Sequence, residues 1–229
     1  MGTAGGLALF LYGMRLIGRA LEKAAGGRLR QYLASMTANR WLSLAFGMVS
    51  TLLVQSSSAS TVLLVSFAGA GLVGVGQCLA AVLGAAVGST VTVQLIAFRI
   101  SHYALLLLAV GFLLTMGRGR KRTVGGALLG FGLLFYGLEI MSTAMAPLRD
   151  VPGIADFFAT AAENPVPAFL LAAAFTSVAQ ASSATIGVVL GLSFQGLVTL
   201  PSALPFVLGA NVGTASTAIL ASLGSNADG

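Results

Sequence analysis

Two hydroxyl-rich phrases, Gln55-Ser56-Ser57-Ser58-Ala59 and Gln180-Ala181-Ser182-Ser183-Ala184, sit 125 positions apart at the centres of two long apolar stretches. These stretches run from about Trp41 to Val73 and from about Pro167 to Val198, each too long for one straight membrane span. In hydrocarbon every backbone polar group needs an internal partner, and non-helical backbone is tolerated only where it is buried in protein or lines a cavity. An unsatisfied polar group at that depth costs several kcal/mol. Two such interruptions in register therefore point to a solute site made from two halves.

Composition sets the surroundings of that site. Hydrophobic residues make up 57% of the 229 residues and charged residues 8%, against about 25% charged in a soluble domain. The 30 glycines suit closely packed membrane helices. The expected class is an all-α integral membrane protein, multi-pass, with the lipid bilayer as its solvent. The net charge of +6 is concentrated between the apolar segments, so it reads as a topology determinant and not as a nucleic-acid surface. A lone cysteine, Cys78, excludes an intrachain disulfide and a Cys-based metal cluster, and reads as a small packing residue. The first apolar run ends in Arg15 and Arg19 without a cleavage pattern, so no signal peptide is expected.

Seven apolar segments follow in order: 5–21, 41–73, 78–98, 103–116, 124–145, 167–198 and 204–223. Residues 22–40 read as an amphipathic interfacial helix. The sharpest boundary is Arg118-Gly119-Arg120-Lys121-Arg122, after which the pattern restarts. Gly71-Leu72-Val73 matches Gly196-Leu197-Val198 at an offset of 125. Leu83-Gly84-Ala85-Ala86-Val87-Gly88 matches Leu208-Gly209-Ala210-Asn211-Val212-Gly213 at the same offset, and Tyr12-Gly13 matches Tyr136-Gly137 at 124. The expected organisation is a first repeat over 1–117, a basic cytoplasmic linker over 118–123 and a second repeat over 124–229. Segment 103–116 has no counterpart before Gly229, so the second repeat is expected to be shortened at its C-terminal end.

Loop charge orients the repeats. Arg15, Arg19, Lys23, Arg28, Arg30 and Arg40 surround the end of segment one, whereas Arg149 stands against Asp150, Asp156 and Glu163 at the equivalent place. Since Lys and Arg favour the cytoplasmic side, the first stretch and the 118–122 loop are expected inside and the 149–163 stretch outside. Segments 78–98 and 103–116 supply the two crossings between the cytoplasmic stretches, so 41–73 enters and leaves on one side. The fold expected is two inverted-topology repeats, each with a re-entrant or broken-helix hairpin that carries a Gln-Ser motif.

The hydroxyl clusters set the chemistry. Seven of the twelve residues from Ser50 to Thr61 carry a hydroxyl. A broken hairpin exposes helix N-termini, whose free N–H groups and positive dipole ends suit an anion. Serine hydroxyls can donate to that anion or offer oxygen to a hard cation, and a Gln carbonyl adds to the oxygen set. Neither cluster holds Lys, Arg, Asp or Glu, which argues against a carboxylate proton relay or a divalent-metal site. Candidate solute residues are Gln55, Ser56, Ser57, Ser58, Gln180, Ser182, Ser183 and Thr185. Na⁺ is assigned to Gln55, Ser57, Gln180 and Ser183. The second matched blocks add Ser89, Thr90, Asn211 and Thr214 on adjacent turns. The alternative for such residues is packing glue between helices, and two in-register clusters weigh against it. An intramembrane serine hydrolase needs a Lys or His base, and neither cluster contains one, so no enzyme is expected. Glu139 aligns with Arg15 as an interfacial anchor or an inter-repeat contact, Trp41 reads as an interfacial anchor, and His102 lies in a predicted external loop.

These residues carry a resemblance. The chain resembles the sodium/phosphate cotransporter family, the type II group and its bacterial relatives. The shared motifs are Gln55-Ser56-Ser57-Ser58, Gln180-Ala181-Ser182-Ser183, Leu9-Phe10-Leu11-Tyr12-Gly13 and Gly209-Ala210-Asn211-Val212-Gly213-Thr214. The resemblance implies that the two Gln-Ser motifs form a site for inorganic phosphate and Na⁺, with Na⁺ as coupling ion and no organic cofactor. Ala181 stands where a full serine run has a hydroxyl, so Ser56–Ser58 are expected to contribute more ligands than Ser182 and Ser183. The function expected is Na⁺-coupled phosphate symport by alternating access. A phosphate exporter or a passive anion pore is the alternative. A homodimer and a soluble regulatory domain outside this chain are further expectations.

Overall fold

The computed structural model describes residues 1–25, 39–69, 73–97 and 100–225. Most of the expected interfacial helix (residues 26–38), Gly71-Leu72 of the first matched block and Arg99 lie outside the described residues. Every regular element among the described residues is helical. In chain order these are α1 (Gly2–Ala25), α2 (Arg40–Val54), α3 (Ser57–Gly69), α4 (Val75–Ala97), α5 (Ala104–Thr115), α6 (Arg120–Met145), α7 (Ile154–Glu163), α8 (Pro165–Ala179), α9 (Ser182–Phe194) and α10 (Leu200–Ser225). Short 3₁₀ turns at Ile100–Tyr103 and Ala146–Asp150 join α4 to α5 and extend α6.

Helices α1 and α6 are long and apolar enough to cross a membrane. Large apolar side chains cover the outside, among them Leu105, Leu113, Val178 and Leu200, as lipid surroundings require and water would penalise. Helix α5 has 12 residues, about 18 Å of helix, which is short of the ~30 Å hydrocarbon core. The expectation of a full crossing over 103–116 is not met by this helix alone.

The core is built on α1 against α6. Phe10, Met14 and Ile17 meet Leu134, Phe135, Leu138 and Met141, all buried. The two helices run antiparallel and approach through glycine. A Cβ added to Gly6 would lie 2.6 Å from the Gly137 carbonyl, and one added to Gly13 would lie 2.6 Å from that of Gly130. Small residues at such crossings let backbones meet closely where lipid supplies no hydrophobic drive between helices. This register puts Arg15 level with Gly130, while Glu139 lies beside the Gly6 end. The two charges are therefore at opposite ends of the pair and do not face one another across it.

A second motif recurs at the offset seen in the sequence. Gly84 of α4 packs on the Leu44 carbonyl of α2, and Gly209 of α10 packs on the Phe169 carbonyl of α8. Gly88 meets the Met48 carbonyl, and Gly213 meets that of Ala173. A smaller apolar cluster of Phe46, Leu64, Val73, Cys78 and Ala81 fills the space among α2, α3 and α4. There the Cys78 thiol donates to the Leu64 carbonyl at 3.5 Å, a packing role.

One segment read as a loop and one read as a polar stretch are largely helical. Arg120, Lys121 and Arg122 form the first turn of α6, so the linker expected over 118–123 shrinks to the turn around Gly119, at φ 61°. The polar stretch before the sixth segment contains α7, because Phe157 and Phe158 form an aromatic cluster with Phe206 of α10. Helix α7 then meets α8 at a bend of 106°. Trp41 is exposed at the start of α2, where the Asn39 side chain accepts a hydrogen bond from its N–H at 3.1 Å.

Gly6→Ala and Gly130→Ala should each lower stability by about 1–3 kcal/mol, because the new Cβ must displace backbone. Gly5→Ala, whose Cβ meets nothing within 4 Å, should be neutral or slightly stabilising. Thermal unfolding of the purified protein in detergent measures all three.

Candidate functional site

The site begins with two identical helix endings. Gln55 closes α2 with φ 56° and ψ 27°, and Gln180 closes α8 with φ 57° and ψ 23°. Among the described residues these are the non-glycine positions with positive φ. A left-handed L-residue costs roughly 1–2 kcal/mol and persists where its surroundings over-determine it. Here the backbone N–H of Gln55 donates to the Thr51 carbonyl at 2.7 Å, and that of Gln180 donates to the Thr176 carbonyl at 2.7 Å. Each side-chain amide also donates back to its own helix, Gln55 Nε2 to Leu52 O at 2.6 Å and Gln180 Nε2 to Ser177 O at 3.0 Å. The carbonyls freed at the helix end are thus partly re-satisfied by the residue that causes the break.

Beyond each break a new helix starts, and here the two differ. Ser56 caps α3, its Oγ accepting from the Ala59 N–H at 3.2 Å. Ala181 has no side-chain cap to offer, and α9 starts at Ser182 without one. The missing hydroxyl at 181 therefore has two sides. It removes one hydroxyl from the cavity wall, but it also leaves the first turn of α9 without the side-chain acceptor that α3 has. Ser56, conversely, has its oxygen engaged in capping.

The two breaks meet at one cavity of about 60 Å³. Gln55, Ser56, Ser57 and Ser58 line it from the first phrase, and Gln180, Ala181, Ser182 and Ser183 from the second. Met14, Thr51 and Ser89 complete the wall. A single water needs ~10–15 Å³, so the space suits roughly four to six water-sized atoms. A second cavity of about 160 Å³ shares Ser57, Ser58 and Ser89 and adds Thr61, Asn211 and Thr214.

Helix α1 sets this meeting point. A Cβ on Gly18 would touch the Val54 carbonyl and the Gln55 side chain at 3.1 and 3.2 Å, and one on Gly187 would touch the Phe10 ring at 3.1 Å. Helix α1 thus backs the first break with one turn and α9 with another. Ser142 of α6 holds the far end of α9, donating to the Gly191 carbonyl at 3.2 Å and accepting from Gln195 Nε2 at 3.0 Å.

Most residues singled out in the sequence fall on these cavities, but two do not. Thr90 is exposed and donates to the Val87 carbonyl at 2.7 Å. Thr185 is buried away from both cavities, where its hydroxyl pairs with that of Thr176 at 2.5 Å. In this structure the Thr185 hydroxyl is therefore engaged in a packing contact. Sequence reasoning passed over Met14, and placed Thr51 and Thr61 in the first hydroxyl cluster without singling them out as solute residues. Thr51 was readable in principle: it precedes Gln55 by four residues, one helical turn, and so shares its face. Among the described residues no charged side chain lines either cavity, so the electrostatics there are those of helix ends, hydroxyls and amides.

Comparison with known proteins adds the following. The model of a family described as Na⁺/Pi-cotransporter matches residues 9–143 and 151–227. The proposed inorganic phosphate export protein YjbB of Escherichia coli K12 is 30% identical over 223 residues, covering 96% of this chain and 41% of that protein. Its counterpart in Salmonella typhimurium gives the same identity and coverage. The uncharacterized protein YqeW of Bacillus subtilis is 29% identical over 218 residues, 95% of this chain and 71% of that protein. The chain thus spans about two fifths of the length of its YjbB relatives. No solved structure matches it significantly.

The Thr176–Thr185 contact makes a double-mutant cycle informative. Thr176→Val leaves a buried hydroxyl on Thr185 without its partner and should cost about 1–3 kcal/mol. The double variant Thr176→Val/Thr185→Val should recover most of that loss in the same unfolding assay.

Proposed function

The chain belongs to the Na⁺/Pi-cotransporter family, and from that membership we propose that it carries inorganic phosphate across the bacterial plasma membrane, coupled to Na⁺, by alternating access. The observation that carries the reading is the single cavity walled by both Gln-led breaks. A small tetrahedral oxyanion, with four oxygens, is within the size that the cavity suits. Without Lys or Arg in the wall, the anion takes hydrogen bonds from Ser57, Ser58, Ser182 and Ser183 and from the N-terminal turns of α3 and α9. Bound Na⁺ supplies the missing positive charge. Its oxygen ligands come from the Gln55 and Gln180 amides, from Ser57 and Ser183, and from carbonyls at the helix breaks. Ser89, Asn211 and Thr214 line the path through the second cavity.

The same proposal takes residues 1–117 and 124–229 as inverted repeats. Three observations support it: the antiparallel course of α1 and α6, the packing of α2 on α4 and of α8 on α10 at one offset, and the matching caps at Gln55 and Gln180. Helices broken near mid-membrane at a repeat interface are where such carriers hold substrate and coupling ion. Inward Na⁺ movement provides about 2.3 kcal/mol per charge per 100 mV, which can concentrate an anion when cations outnumber its charge. A second reading, phosphate export, is favoured by the proposed function in the name of the YjbB relatives.

In liposomes the purified protein should take up labelled phosphate only under an inward Na⁺ gradient. Equal flux with K⁺ in place of Na⁺ would sink the coupling, and flux only out of the Na⁺-poor side would favour export. Gln55→Ala and Gln180→Ala should each abolish uptake. Gln55→Gly should abolish it too while keeping or raising thermal stability, by up to ~1 kcal/mol, because glycine accepts the left-handed conformation without strain.

A further inference from the structure

The two breaks share a backbone design but not a hydroxyl arrangement. Thr176 precedes Gln180 by one turn, is 0% exposed, and bonds Thr185. At an offset of 125 the corresponding pair is Thr51 and Ser60. Both are buried, at 2% and 3% exposure, yet Thr51 Oγ1 and Ser60 Oγ have no hydrogen-bond partner.

An orphaned hydroxyl is unusual in this molecule. Helical Ser and Thr ordinarily bond back to a carbonyl three or four residues earlier, as Ser66 does to Val62, Ser89 to Ala86, Thr90 to Val87 and Ser216 to Gly213. Thr51 makes no such bond, although a buried unpaired hydroxyl is costly. Thr51 also lines the cavity between the two breaks, whereas its equivalent Thr176 does not. Of the two residues left without a partner, Thr51 is thus the one that lines the space where a solute would sit, its hydroxyl oxygen enclosed just behind the wall.

We propose that the Thr51 hydroxyl donates a hydrogen bond directly to an oxyanion oxygen in this cavity, inorganic phosphate on the reading above, on which the inference rests. A cation at the Thr51 oxygen would still leave the O–H proton without an acceptor, whereas a phosphate oxygen satisfies it. Ser60 then supplies the second half of the arrangement, its hydroxyl donating to Thr51 Oγ1 as one hydroxyl of the Thr176–Thr185 pair does to the other. The first half of the site is therefore completed by substrate, and the second is complete by itself.

The test is a thermal-shift titration of the purified chain with inorganic phosphate in Na⁺ and, separately, with Na⁺ alone. Thr51→Val is nearly isosteric and removes the orphan, so the ligand-free variant should melt at or above the wild-type temperature. Its phosphate affinity should fall roughly 10- to 100-fold, the worth of a hydrogen bond to a charged group. Thr51→Ser, which keeps the hydroxyl, should retain the phosphate response. Wild-type affinity in Thr51→Val, or loss of response in Thr51→Ser as well, overturns the proposal. So does loss in Thr51→Val of a shift produced by Na⁺ alone, which would make the hydroxyl a cation ligand. Absence of any phosphate response in the wild-type chain overturns the transport reading first and this inference with it.

Discussion

Backbone groups released where a helix stops at apolar depth have to be satisfied by something other than water. That requirement shapes everything near the cavity. Gln55 and Gln180 meet it in the same way, by turning left-handed so that the backbone N–H returns to the preceding turn while the amide donates to a carbonyl of the same helix. With the helix end closed in this manner, the next helix can restart at once, and its first turn is delivered into the protein and not into lipid. The positions of the serines after each glutamine follow from this geometry, as does the need for α1 to stand behind both restarts.

How much of this was legible in the sequence depends on the kind of signal. The breaks were legible because polarity at the centre of an apolar run has few explanations, and they fall at the two glutamines themselves. The packing of Gly84 and Gly209 on their neighbours was announced by matched blocks at one offset. The placement of Ser89, Asn211 and Thr214 beside the first phrase was likewise foreshadowed by their position after those glycines. What stayed hidden depends on which way a side chain turns. Thr185 looks like a ligand from composition, but its hydroxyl is consumed by Thr176. Thr51 looks like a helix residue, yet it faces the cavity. Arg120–Arg122 read as a loop because charge and glycine dominate the local pattern, while the helix there is imposed by the apolar residues that follow.

The two halves are alike in backbone and unlike in side-chain satisfaction. Ser56 caps the first restart where Ala181 leaves the second without a side-chain cap, and the hydroxyl pair that is closed behind Gln180, Thr176 with Thr185, is open behind Gln55, where it is Thr51 and Ser60. Near-identical frames with different local bonding give each half its own polarity without altering the packing that aligns them. A symmetrical frame can therefore serve an asymmetrical ligand set, such as a tetrahedral anion approached by a cation from one side.

The crossing of α1 and α6 carries one more implication. Gly6 sits against Gly137 and Gly13 against Gly130, and a shift of 124 positions converts the first contact into the second. A contact set that maps onto itself in this way is isologous, of the kind that relates subunits about a two-fold axis. At this crossing the two glycine contacts of the single chain are related in that way. The connection through Gly119 then acts as a tether that turns a bimolecular association into an intramolecular one, raising the effective concentration of each half for the other.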